Sequence, residues 1–198
     1  MGLLVRATLS LPVLVYTHDM RAKINDADLI FCHGRKFFHM GIRLFTGEYE
    51  NHVAFLFWWN GRVIVLEAGT HGVSTVPLSR LLREYPGEVV LARCSDVVSL
   101  GQGIAIHNAA VDNYLGADYD TWTLGRLALR KVLGKIGYKG SAPKNKRWFC
   151  SELIKDAMHD VGIEFNADAQ GVISPGGIAK DPRVKKLGLL VMPSEVVV

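Results

Sequence analysis

The chain has 198 residues and a mass of 21.9 kDa, a length at which one hydrophobic core is the default and about 70% of the unfolded surface is buried. Hydrophobic residues make up 49% and charged residues 21%, with 20 Gly and 7 Pro, which excludes disordered, collagen-like and low-complexity chains. A net charge of +4 permits attraction to phosphates, anionic lipid or cell-wall polymers without specifying any of them.

No apolar run reaches the roughly 18 residues that span a bilayer, and the best one, at 9–16, lacks a basic leader and a small-residue cleavage site. Its three cysteines, Cys32, Cys94 and Cys150, are too few for a disulfide framework and suit a reducing compartment. Cytoplasmic location is the expectation.

In chain order, 28–33 (DLIFCH) has strand composition, and 36–45 reads as a short helix ended by Gly47. The runs 52–59 (HVAFLFWW) and 62–68 (RVIVLEA) flank Asn60-Gly61, the pair that favours a tight hairpin turn. An antiparallel return then brings His52, at the start of one strand, to the same end of the sheet as Glu67, near the end of the other. Alternation turns one of Trp58 and Trp59 inward and its neighbour outward. A brief helix follows Pro77 as far as Arg83, and 88–93 is again strand-like, so the sheet has four or more strands.

Ser99 is placed to cap a helix running to Tyr114, with Leu100, Ile104, His107, Val111 and Leu115 on one side and Gly116 as its stop. A second helix is expected at 121–133, followed by a Gly/Lys/Pro-rich loop through Lys146. The stretch from Asp120 to Glu152 carries Arg126, Arg130, Lys131, Lys135, Lys139, Lys144, Lys146 and Arg147 with no acid between them. At 150–161 a helix puts Leu153, Ile154, Ala157, Met158 and Val161 on one face and ends at Gly162. No internal repeat is present, and one domain over 1–198 is expected.

Of the three thiols, Cys150 alone opens a helix, where unpaired N–H groups and the dipole favour thiolate over thiol. Cys32 and Cys94 read as small buried hydrophobes. A nucleophilic thiol needs a base and a group that orients the base, and His52 with Glu67 is the pair that the hairpin supplies. Residue types alone leave this open: with 7 His and 19 acids, a core thiol, a strand-end histidine bonded to backbone and a turn acid account for the same residues.

Cys32, His33, His39, His52 and His71 crowd the first third of the chain, but no CxxC or HxxxH pair occurs and alternation scatters them over both sheet faces. Neither metal nor cofactor is expected. The basic segment 126–147 could meet an anionic surface. It has no interleaved aromatics between Trp122 and Tyr138, so nucleic acid is not an expected partner. Gly171 and Gly176-Gly177 lack the strand and Lys-Ser/Thr pair of a phosphate loop.

The segments Asp28-Leu-Ile-Phe, Asn51-His52-Val-Ala, Val65-Leu-Glu67-Ala and Trp148-Phe-Cys150-Ser-Glu-Leu-Ile, in that order, resemble the circularly permuted branch of the NlpC/P60 papain-like superfamily, the YiiX-like and YebB-like proteins. In ordinary members the cysteine helix precedes the histidine strand, whereas here histidine and acid come first. Tyr114-Leu-Gly116 with Tyr119-Asp120, and Ser174-Pro175 with Ile178-Ala179, extend the resemblance over about 25–182; the basic insertion at about 121–147 departs from it.

The resemblance implies an α+β fold, an antiparallel sheet with packed helices and the cysteine at a helix N-terminus. It implies Cys150 as nucleophile, His52 as general base and acid, and Glu67 as the group orienting the imidazole. The implied activity is thiol hydrolysis of an amide or ester, with peptide or cell-wall substrates first. An acyl-lipid hydrolase or acyltransferase, and a non-catalytic binding module, are the alternatives.

Overall fold

A computed structural model describes residues 11–34, 49–69, 72–117, 150–166 and 173–195. The helices expected at 36–45 and 121–133 and the basic segment 126–147 lie outside them. Seven strands form one sheet: β1 (Val13–Val15), β2 (Asp28–Gly34), β3 (His52–Trp59), β4 (Arg62–Gly69), β5 (Gly72–Pro77), β6 (Gly87–Cys94) and β7 (Val184–Val191). Their spatial order is β1-β7-β6-β2-β3-β4-β5. The sheet is antiparallel as expected except at its edge, where β1 runs parallel to β7, Val13 opposite Leu189. Three edge residues carry no usable periodicity, and their partner lies at the far end of the sequence.

The sheet is covered on both faces. One face, with Phe31, Val53, Phe55 and Leu66, packs against α3 (Leu100–Tyr114), α4 (Cys150–His159) and α5 (Pro175–Ala179). The other, with Ile30, Cys32, Ala54 and Val65, packs against α1 (His18–Arg21) and α2 (Leu78–Glu84). This two-sided burial explains why the central strands read as unbroken apolar runs. At the β3–β4 turn, Asn60 and Gly61 have φ of 49° and 70°, the left-handed pair of a tight hairpin. Trp58 is half-buried and donates from its indole to Ile24 O at 2.8 Å, while Trp59 is exposed.

Helix α3 starts as expected: the Ser99 hydroxyl accepts from Gln102 N at 3.2 Å and the Gln102 side chain accepts from Val98 N at 3.0 Å. Its inner face is not the expected one. Gly103, Ile106, Ala110 and Tyr114 are buried, whereas Leu100 is 71% and Ile104 43% exposed. Small residues decide the face, because a Cβ on Gly103 would sit 2.9 Å from the backbone oxygen of Asp26. The helix can approach β2's entry loop only there, and large side chains would hold it off. His107 still turns inward, stacked on Phe57 with ring centroids 4.5 Å apart.

A pair of buried Asp28 and half-buried Arg93 fixes the start of β2. Asp28 is fully buried and accepts from Arg93 Nε at 2.6 Å and Nη2 at 2.8 Å, with Asn25 N donating at 2.8 Å. Helix α4 is held at both ends: Ser151 Oγ donates to Ile173 O at 2.8 Å, and Asp160 accepts from Tyr114 Oη at 2.8 Å and Asn113 Nδ2 at 3.1 Å.

Candidate active site

The β3–β4 hairpin sets the first contact by register. Phe55 pairs with Leu66, so Glu67 stands opposite Ala54 and diagonal to His52 on the same face, within reach of a long side chain. His52 Nε2 lies 2.6 Å from Glu67 Oε2. Helix α4 packs over β3 and β4 and delivers Cys150, whose side chain is hydrogen-bonded to His52. The three residues singled out from the sequence therefore meet, in the chain order His, Glu, Cys. With Nε2 held by the carboxylate, Nδ1 is the ring nitrogen left for the thiol.

The site is nearly closed to solvent: Cys150 is 2% and His52 5% exposed, with Glu67 more open. Burial of the imidazole, the largest influence, opposes its charge. The bonds and charges of Cys150 and Glu67 together outweigh it and push the His52 pKa up to about 10. The pair is therefore arranged to hold an imidazolium against a carboxylate, the partner a developing or standing thiolate requires.

Three neighbours were not given roles by the sequence. Cys32 stands opposite His52 in the β2–β3 ladder and is fully buried. Burial, then the charges of Glu67 and Cys150, push its thiol well above the ordinary range. Tyr85 packs its hydroxyl against Gly34, where a Cβ would collide with it, and burial with the Cys32 and Glu67 charges raises its phenol. Asn51, fully buried beside His52, donates from its side chain to Gly34 O at 2.9 Å and from its backbone to Cys32 O at 3.2 Å. An amide side chain directly before the histidine is the feature of the sequence that points to Asn51. Cys94 is buried at the end of β6, remote from this ladder position, as a core thiol.

His33 Nδ1 is 2.6 Å from Tyr49 O, and its ring stacks on Tyr49 at 3.8 Å. Among the described residues no three His, Cys, Asp or Glu side chains are arranged to hold a metal ion; His39 and His71 lie outside those residues. Among the described residues, too, no helix is long and apolar enough to cross a membrane.

A histidine–carboxylate pair on adjacent strands, with a cysteine helix arriving from later in the chain, is an arrangement consistent with a permuted papain-like thiol hydrolase. The model of the permuted papain-like amidases, the YaeF/YiiX or C92 family, matches residues 23–170. This chain belongs to that family and is a cysteine hydrolase of the amidase kind. Among solved structures, the metalloprotein yiiX from Escherichia coli O157:H7 is similar, with a TM-score of 0.60 and 19% identity over 82% of this chain and 95% of that one. No curated protein matches the chain.

Proposed function

We propose that the chain hydrolyses an amide bond in a short peptide through a triad of Cys150, His52 and Glu67, with cell-wall peptides as the first substrate class. The observation that carries this reading is His52 bonded at once to Glu67, at 2.6 Å, and to the Cys150 side chain. Cys150 sulfur attacks the carbonyl carbon, and the imidazolium then gives its proton to the leaving amine. Backbone N–H groups at the start of α4 stabilise the oxyanion. Water, deprotonated by the now neutral His52, attacks the thioester, releases the acid and restores Cys150. Glu67 keeps the ring oriented and its charged form favourable throughout.

Incubation with muropeptides and, separately, with a phospholipid carrying ester-linked acyl chains tests this. Release of a new amino terminus from the peptide, abolished in Cys150→Ala and His52→Asn, is the expected result. Cleavage of the lipid alone would overturn the peptide reading in favour of an acyl-lipid hydrolase. No turnover of either, with Cys150 unmodified by an amide-directed electrophile, would leave a binding module.

A further inference from the structure

A second candidate site lies at the far end of β4 from Glu67, beside α1 and α2. We infer that a recess of about 330 Å³ there binds a phosphoryl group. Arg21 from α1, Arg62 from β4 and Arg80 and Arg83 from α2 all line it, with Tyr16 and Pro77 supplying apolar wall. Arg62 opens β4 and Glu67 nears its end, so the recess and the triad are separated by about 17 Å of strand.

Four guanidiniums around one small concavity repel one another and require compensation. Among the described residues the only ion pair that any of them makes is Arg80 Nε with Glu84, at 3.0 Å. Arg21 donates from Nη2 to Gly61 O at 2.8 Å and lies over the Trp58 ring at 5.5 Å, which fixes its side chain. Its Nε is buried without a hydrogen-bond partner. An unmet buried donor on a side chain held from both sides is the mark of a site that awaits an acceptor, because leaving such a group unpaired costs more than the bond is worth.

The charge count selects the ligand. Among the described residues Arg21, Arg62 and Arg83 have no carboxylate partner, so the recess suits a ligand that brings two or more negative charges into a small volume. A phosphomonoester, at about −1.5 to −2 near neutral pH, or a diphosphate does so, and its oxygens match the guanidinium fork. A single carboxylate supplies too little charge. Tyr16 and Pro77 would flank the group to which the phosphoryl is attached, whether a small organic moiety or the glycerol of a lipid.

Calorimetry of the full chain with inorganic pyrophosphate, and co-sedimentation with phosphatidylcholine vesicles containing phosphatidic acid, test the inference and separate its two sources. Saturable one-to-one pyrophosphate binding is expected, weakened at least about tenfold by each of Arg62→Gln and Arg83→Gln and unchanged by the surface control Lys185→Gln. Both arginines are exposed, and an unchanged melting temperature checks that the variants fold. Vesicle binding without pyrophosphate binding, lost in the double variant, assigns the site to a lipid headgroup. Binding of neither probe, or equal weakening by Lys185→Gln, would overturn the site. Because Arg62 and Arg83 lie away from the triad, their loss should leave reaction of Cys150 with iodoacetamide unchanged.

Discussion

Replacing Glu67 with Gln isolates what the carboxylate does for His52. The amide is nearly isosteric and its oxygen can still accept from Nε2–H, so ring orientation survives while the charge is lost. What disappears is a charge-assisted bond of 2.6 Å to a nearly buried ring. Such a bond contributes about 1.5–3 kcal/mol, or about ten- to a hundredfold in turnover. The same energy lowers the His52 pKa by about 1–2 pH units from its value of about 10. Nitrogen-15 NMR of the imidazole gives the midpoint directly, and turnover of the peptide substrate gives the rate. Midpoint and rate should fall together. A midpoint within about 0.3 pH units of wild type together with unaltered turnover would refute the coupling and reduce Glu67 to a strand-end acid.

The raised His52 pKa also predicts how stability depends on pH. A histidine whose folded pKa exceeds its unfolded value of about 6.5 stabilises the fold fully below 6.5, and that contribution is lost as pH rises to about 10. Urea unfolding across this window should show declining stability in wild type and a flatter profile in His52→Gln. Cys150 should be the thiol first labelled by limiting iodoacetamide, since burial raises the thiols of Cys32 and Cys94; peptide mapping showing either of them labelled first would contradict this. Arg93→Met strands Asp28 in the sheet, so a loss of about 3 kcal/mol in denaturant unfolding is expected, and a loss below about 1 kcal/mol would show that the bond contributes little.

The meeting of His52, Glu67 and Cys150 was legible because its determinants are local. Asn60-Gly61 fixes the hairpin, the hairpin fixes the diagonal of His52 and Glu67, and Gly162, with φ of 81°, ends the helix that Cys150 opens. What stayed illegible depends on partners distant in sequence. β5 has no period-two pattern, since Ser74 and Thr75 sit side by side between Val73 and Val76, and its edge position shows only through pairing with β4. β7 carries Lys185 and Lys186 and a glycine, a poor strand pattern accepted because β1 and β6 flank it. The inner face of α3 was misread for a related reason: Gly103 and Ala110 gain their value from close approach to another element, which hydrophobic periodicity does not register. The recess lined by arginines from α1, β4 and α2 was equally invisible, since its residues are some sixty positions apart.

The position of β7 between β1 and β6 has a consequence in time. Val13 has its ladder partner in Leu189, about 175 residues later, so at ribosomal rates of about 5–20 residues per second β1 waits roughly 10–35 s for it. Across that interval the His52–Glu67 hairpin can close on itself, because its two strands meet through a two-residue turn. Cys150 arrives only with α4, and the sheet is sealed only with β7. On the proposed triad, a nascent chain assembles its proton-transfer pair well before it acquires the attacking sulfur, and hydrolytic competence is among the last properties that synthesis confers.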